Sequence, residues 1–243
     1  MERNDKCFCG SGKKYKKCHY RIKEKSKLAD MYKANLVFDE ACITRGVSNN
    51  CISDCSECCK DFFFVTENEF LMILEALLNN GADINLYKEK AKRSLEIIKK
   101  VYPDIIERLD RFMPTGGNIM ALYDFFKDNE NPVGIPTCIF LNSEKKCAVY
   151  ECRPIICKMY GSTTTCQYIG NMPLVLQEGT DLNKANTIIY SKEGSPLIKR
   201  PYPIFYWFSF FLDEPYYSTV LLKLSKFRDV SESEYYDFTL GLK

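Results

Sequence analysis

Apolar residues recur at helical spacing in several stretches of the chain, and short turn-rich segments separate these stretches. Between positions 66 and 79 the spacing is i, i+4, i+7 and i+8, at Phe70, Leu74, Leu77 and Leu78. Thr66, with Glu69 three residues later, predicts a capping box before this helix, and Asn80 followed by Gly81 predicts its end. The segment is therefore predicted to form an amphipathic helix.

Weaker patterns of the same kind predict further helices and a few strands. The helices are expected over about 21–45, 84–101, 154–160 and 216–228, with shorter ones up to about 112 and over 118–128. Apolar runs over 61–65 and 135–141 predict short strands, 173–200 is predicted to form strands or irregular structure, and a polar tail ends the chain. We therefore expect an α+β fold, mostly helical with short strands.

The segment 202–212 is densely aromatic and has two interpretations. Its sequence is Tyr-Pro-Ile-Phe-Tyr-Trp-Phe-Ser-Phe-Phe-Leu. Such a run either packs in the core or lines an exposed groove for a partner, and we favour core packing.

Charge is unevenly distributed, although the net charge is only +2. Residues 1–27 contain ten Lys and Arg against three Asp and Glu, so a basic arm precedes a mildly acidic remainder. The arm is either a solvated, flexible charge run or a segment that seeks an anionic partner, such as nucleic acid, the ribosome or an acidic protein.

The start of the chain has no apolar stretch, and the longest apolar run, over 204–212, is too short to cross a bilayer. We therefore expect a cytoplasmic protein without a signal peptide or membrane span. Thirteen cysteines in a reducing compartment favour metal ligands over disulfides. No dinucleotide fingerprint is present, and catalytic residues cannot be identified from the sequence.

The most specific chemistry lies in the first nineteen residues. Their candidate ligands are Cys7, Cys9, Cys18 and His19. Three thiols and the only histidine of the chain, within thirteen positions, predict a Cys₃His zinc site. Gly10 and Gly12 permit the unusual backbone dihedrals that such a tight knuckle needs. Because His19 is then a zinc ligand, no histidine remains for a Ser-His-Asp or Cys-His mechanism.

The sequence Cys-Phe-Cys-Gly-Ser-Gly-Lys-Lys-Tyr-Lys-Lys-Cys-His over 7–19 resembles the SEC-C motif. This zinc knuckle is found at the C-terminus of the SecA translocation ATPase, where it contacts the chaperone SecB and the ribosome. The resemblance implies zinc bound by Cys7, Cys9, Cys18 and His19. It also implies a protein or ribosome-associated partner, whereas the residues give no specific support for nucleic acid.

A second cysteine system lies in two groups separated by cysteine-free sequence. The groups are Cys51, Cys55, Cys58 and Cys59, and Cys138, Cys147, Cys152, Cys157 and Cys166. We expect them to converge around zinc or an iron–sulfur cluster, because thiolates suit both. For Cys42 and Cys166 we favour a role as small buried hydrophobes. Arg153 either adds charge near the thiols, binds a carboxylate or forms a structural salt bridge.

Over about 50–165 the chain resembles the YkgJ-type cysteine-cluster family of zinc- or iron-chelating domains, and the flagellin lysine methylases have a related arrangement. The resemblance implies six ligands, which are Cys55, Cys58, Cys59, Cys138, Cys147 and Cys157. Cys51 and Cys152 depart from the family spacing and remain weaker candidates.

These patterns divide the chain into a zinc knuckle over 1–22, a helical connector over 23–45 and a cysteine-cluster domain over 46–243. We expect a metal-binding protein whose basic knuckle recruits a partner. The alternatives are an iron–sulfur-dependent enzyme that modifies proteins, resembling the flagellin lysine methylases, and a thiol redox sensor that uses Cys58 and Cys59. Whether the protein is an enzyme stays open.

Overall fold

The structure is a computed structural model that describes residues 1–44, 56–60, 64–101, 136–159 and 202–241, together with positions 103, 104, 107 and 185. Its described part is mostly helical, with one small antiparallel sheet. The predicted α+β class is confirmed. No helix in the described ranges combines the length and apolarity that a bilayer crossing requires.

Seven α-helices and two short strands form the described fold. The helices are α1 (Lys27–Thr44), α2 (Glu67–Asn79), α3 (Ile84–Val101), α4 (Ile155–Met159), α5 (Ile204–Phe210), α6 (Tyr216–Asp229) and α7 (Glu232–Leu240). Strand β1 (Phe64–Val65) pairs with β2 (Tyr202–Pro203), with Phe64 opposite Pro203 and Val65 opposite Tyr202. Short 3₁₀ turns occur at Tyr15–Lys17, Glu57–Lys60 and Tyr150–Cys152.

Helix α2 forms as its sequence predicts. The Thr66 side chain accepts a hydrogen bond from the Glu69 backbone, and the Glu69 carboxylate accepts one from the Thr66 backbone, which completes the capping box. The helix ends at Asn79, Asn80 caps it, and Gly81 follows with φ +68°. The prediction of a helix over 84–101 also agrees with α3.

The aromatic segment 202–212 packs in the core as expected. The Trp207 ring of α5 stacks on Phe70 of α2 at 4.8 Å between centroids, and its indole Nε1 donates to the Val65 carbonyl at 2.9 Å. Phe208 packs edge-on against both Phe70 and Phe140. This segment therefore joins β1, α2 and the loop before Leu141 in one apolar core.

Helix α1 contributes to the same core. Leu28, Met31 and Phe38 are almost completely buried in it. The α1 residue Lys27 is also fully buried, and its ammonium lies 3.3 Å from the Glu232 carboxylate at the start of α7. The proposed division into knuckle, connector and cysteine-cluster domain stays a prediction, but α1 packs as a core helix in the described structure.

Two predictions are wrong. The tail after α6 is not merely polar, because Ser231 and Glu234 form a capping box and α7 buries Tyr235 against Phe227. The strand expected over 135–141 is also absent from 136–141, where the backbone forms only an isolated bridge between Leu141 and Cys147. The apolar side chains there serve tertiary packing instead of a sheet.

Several other predictions fall outside the described residues. They concern most of the segment leading to about 112, the helix over 118–128 and nearly all of 173–200.

Candidate metal centre

The N-terminal knuckle is a compact turn that returns on itself. The Cys7 backbone N–H donates to the Lys13 carbonyl at 2.9 Å, and Lys6 pairs with Lys14 in an isolated antiparallel bridge. Gly10 and Gly12 make the reversal possible, because their φ angles of +76° and +71° disfavour residues with a Cβ. The 3₁₀ turn at Tyr15–Lys17 then places the last two candidate ligands beside the first two.

The four predicted ligands meet in this turn. The ligand atoms of Cys7, Cys9, Cys18 and His19 all lie within 4.8 Å of one another. His19 Nδ1 is 3.3 Å from the Sγ atoms of both Cys7 and Cys18, and the Sγ atoms of Cys9 and Cys18 are 3.6 Å apart. Tetrahedral zinc separates neighbouring sulfurs by about 3.8 Å and sulfur from imidazole nitrogen by about 3.5 Å. The donor set therefore fits zinc.

The electrostatics of the thiols are uneven. Burial raises the pKa of Cys7 to about 12 and also raises the pKa of Cys18. Burial opposes ionisation of Cys9 too, but hydrogen bonds with His19, Ser11 and Cys18 outweigh it and lower the Cys9 pKa to about 6. Cys9 is therefore the most acidic of the three thiols.

Residues of helices α1 and α2 contact the knuckle and support it. The His19 ring lies 4.3 Å from the Tyr32 ring, and Phe8 packs against both of these rings. Asn79, at the end of α2, donates to the Cys18 carbonyl at 3.4 Å. The knuckle is consequently docked on the helical core and uses α1 as the apolar surface that it lacks itself.

A comparison with known protein families identifies the knuckle, with its ligand cluster, glycines and lysines. Residues 3–21 match the family model of the SEC-C motif. No curated protein and no solved structure shows significant similarity to the chain. The SEC-C match covers only the knuckle, so it supports metal binding there and makes no statement about the remainder.

The SEC-C motif exposes a basic surface. The run over 13–17 carries four solvent-exposed lysines, namely Lys13, Lys14, Lys16 and Lys17. Tyr15 within the same run is buried and donates to the Ile22 carbonyl. The lysine side chains of this run therefore face solvent, while the buried Tyr15 anchors it.

A second group of cysteines lines a cavity of about 420 Å³. Its thiols are Cys58, Cys59, Cys138, Cys147 and Cys157. The Cys138 backbone N–H donates to the Cys59 carbonyl at 2.7 Å, which ties the two distant sequence segments directly together. Five of the six described members of the two cysteine groups therefore line one cavity, and their expected convergence around a metal stays a prediction.

Three local structures position these thiols. Cys58 and Cys59 lie on the 3₁₀ turn at Glu57–Lys60, and the bridge from Leu141 to Cys147 closes the loop that follows Cys138. Cys157 lies on α4, which begins at Ile155, directly after Pro154.

Burial dominates the thiol chemistry of the cavity. It raises the pKa of Cys138 to about 12 and holds the pKa of Cys157 well above its usual value. The pKa of Cys59 is raised chiefly by a hydrogen bond with Cys58, and then by burial. Burial also raises the pKa of Cys147, against an opposing effect of the Arg153 charge. The protonated form of these thiols is therefore favoured unless a cation compensates the charge of the thiolate.

Two further cysteines in the described part of the chain join neither group. Cys152 is buried but does not line the cavity, and Cys42 is buried in α1, in agreement with a packing role. Cys51, Cys55 and Cys166 lie outside the described residues. Across the described ranges, the SEC-C cluster is the one group of three or more potential ligands whose ligand atoms lie close enough together to hold a metal ion.

Sequence reasoning missed the groups that support the knuckle. Nothing in the sequence around Tyr32 indicates that its ring would contact His19. Leu36, which lies against Gly10, gave no signal at all, because that contact depends on how the knuckle docks.

Proposed function

We propose that the chain is a metal-binding protein whose SEC-C motif holds zinc through Cys7, Cys9, Cys18 and His19. The observation that carries this proposal is the placement of all four ligand atoms within 4.8 Å. Zinc with four protein ligands leaves no open coordination position, so its contribution there is structural. The ion would fix a turn that has few apolar residues of its own.

We further propose that the cavity cysteines hold a second metal centre, either zinc or an iron–sulfur cluster. The resemblance to the YkgJ-type family supports this assignment, as does the meeting of five thiols in one cavity. Thiolates suit both kinds of centre. Such a centre would supply the cation that buried thiolates need.

The basic surface of the SEC-C motif is the proposed recruitment surface for an acidic protein or a ribosome-associated partner. Lys13, Lys14, Lys16 and Lys17 are exposed there, and zinc would hold the turn that carries them. Clustered cations on a rigid turn attract anionic surfaces and speed association at low salt. Replacement of all four lysines by Ala should abolish salt-sensitive co-sedimentation with ribosomes. Equal co-sedimentation of the variant and the wild type would exclude this surface.

An iron–sulfur enzyme that modifies proteins is a second candidate, and the size of the cavity favours it. A volume of about 420 Å³ lies in the range of small-molecule sites. The redox-sensor alternative has less support, because it needs thiols of lowered pKa and the pKa of Cys59 is raised.

Metal analysis of protein purified without oxygen tests the two metal sites separately. We expect zinc in the wild type, together with iron and acid-labile sulfide or with a second zinc. Cys18→Ser should lose one zinc and keep the second centre, and Cys157→Ser should lose only the second centre. Cys42→Ser is the matched control, because Cys42 is buried in α1. Full zinc retention in Cys18→Ser would refute the SEC-C assignment.

A further inference from the structure

The cysteine-lined cavity has more room than a metal centre alone uses. Besides the five thiols, its lining includes apolar side chains, namely Val65, Phe140, Val149 and Ile204. A volume of about 420 Å³ matches sites that bury a small organic molecule. The apolar walls would accept a hydrocarbon or aromatic body beside the thiols.

Arg153 gives this cavity a buried positive charge. The residue lines the cavity and is only 8% exposed. Its Nε atom is buried and has no hydrogen-bond partner among the described residues. The guanidinium carbon lies 4.2 Å from the centre of the Tyr150 ring, so the ring covers one face of the cation. A buried donor left unpaired is costly, and an anion would remove this cost.

Two further cations lie at the same cavity. Lys145 and Lys146 belong to its lining, and none of the described lining residues is acidic. The Asn142 side chain accepts hydrogen bonds from the backbone N–H groups of Glu144 and Lys146, at 3.0 and 2.8 Å, which fixes this loop. Lys145 has a φ of +57°, a conformation that favours Gly or Asn. The ion pair of Lys146 with Glu144 is about 70% exposed on both sides and is therefore strongly screened.

We propose that the cavity binds a small organic anion beside the cysteine centre. Its carboxylate or phosphate group would lie on Arg153, and its apolar body would lie on the walls formed by Phe140, Val149 and Ile204. Stacking on Tyr150 leaves the edge of the guanidinium, including Nε, to donate two parallel hydrogen bonds to an oxyanion. The proposal takes one assumption from the proposed function, namely that the cavity thiols hold a metal centre.

Fluorine NMR titration of the intact, metal-analysed protein tests this proposal. The probes are 4-fluorobenzoate, 4-fluorophenyl phosphate and the neutral isostere 4-fluorobenzamide. We expect saturable binding of at least one anion and much weaker binding of the amide. Binding of benzoate alone or of the phosphate alone identifies the anionic group. Arg153→Gln should weaken anion binding about tenfold or more, because a hydrogen bond to a charged group is lost.

Arg93→Gln is the matched control, because Arg93 is exposed on α3 and does not line the cavity. Arg153→Lys keeps the charge without the guanidinium fork and should weaken binding less, which preserves the test if Arg153→Gln does not fold. Equal binding of the amide and the anions, or unchanged affinity in both Arg153 variants, would overturn the proposal. So would loss of the cavity metal, with the fold intact, in Arg153→Gln, since Arg153 would then serve the thiolates. If the purified protein lacks a cavity metal and still binds the anion, the second metal centre is refuted and the anion site is upheld.

Discussion

The Glu69 carboxylate accepts the backbone N–H of Ile155 at 2.9 Å, so one buried side chain joins the start of α2 to the start of α4. Its other oxygen accepts the backbone N–H and the hydroxyl of Thr66, both at 3.0 Å. Burial raises the pKa of Glu69 against these hydrogen bonds. Cys157 lies two residues beyond Ile155, so the capping box of α2 also positions a cavity thiol.

We predict that Glu69→Ala destabilises the fold and impairs the cavity site selectively. The substitution leaves the N–H groups of Thr66 and Ile155 unpaired in a buried region, at a cost of about 1–3 kcal/mol. Urea denaturation should show this loss, and metal analysis should show reduced occupancy of the cavity with an unchanged SEC-C site. Glu89→Ala, at an exposed position on α3, is the control. Equal loss from both metal sites would argue against a local link through Ile155.

Substitutions at Gly10 and Gly12 distinguish the cost of backbone strain from the cost of disturbing the contact between the knuckle and α1. Both have positive φ, so Ala at either position should cost roughly 1–2 kcal/mol. A Cβ at Gly10 would also lie 2.7 Å from a Leu36 methyl carbon, whereas one at Gly12 would meet no described atom within 4 Å. Thermal denaturation should therefore show a greater loss for Gly10→Ala than for Gly12→Ala.

A double-mutant cycle with Leu36→Ala identifies the cause of that difference. If Leu36 is the obstacle, Leu36→Ala should recover part of the loss caused by Gly10→Ala and none of that caused by Gly12→Ala. Identical losses in the two glycine variants would mean that the knuckle does not contact α1 in solution.

Asp213 gives the fold a pH-dependent contribution to stability. Its two carboxylate oxygens lie 2.6 Å from the Lys88 ammonium and 2.8 Å from that of Lys92. Hydrogen bonds from these lysines lower the pKa of Asp213 below its usual value of 3.8. A carboxyl group whose pKa is lower in the folded than in the unfolded state stabilises the fold at pH values above its unfolded-state pKa. This stabilisation is lost as the pH decreases through the folded-state pKa.

Asp213→Asn should therefore lower the free energy of unfolding at neutral pH by only about 0.5 kcal/mol, because solvent screens this partly exposed group. The difference from wild type should shrink at high salt and vanish in strong acid. Urea denaturation as a function of pH measures this, with Asp237→Asn on α7 as the exposed control. A difference that grows in acid would contradict the sign of the pKa shift.

Local signals were predictable from the sequence, and contacts between distant segments were not. The capping box of Thr66 and Glu69 fixed the start of α2, and the SEC-C ligands are confined to thirteen positions, so both could be found. Ser231 and Glu234 repeat the same capping signal before α7, but no regular apolar pattern follows it and the helix was missed. Ile139 and Phe140 suggested a strand, although tertiary packing accounts for their burial.

The contact between His19 and Tyr32 predicts that zinc stabilises more than the knuckle. Their rings are 4.3 Å apart, and Tyr32 lies on α1 within the common core. A ligand that binds only the folded state stabilises by about 2.7 kcal/mol at a concentration one hundred times its Kd. Chelation of the SEC-C zinc should therefore lower the unfolding midpoint of the whole helical core.

Trp207 fluorescence measures this effect, because it is the only tryptophan and packs on Phe70, outside the SEC-C motif. Chelation should shift the Trp207 unfolding transition to lower urea concentration by more in wild type than in Cys18→Ser, which has already lost the SEC-C site and keeps only the cavity centre. Tyr32→Ala should reduce the shift, because the ring that couples His19 to α1 is removed. If chelation leaves the wild-type transition in place, the SEC-C motif is energetically independent of the core, and its contacts with α1 contribute no stability.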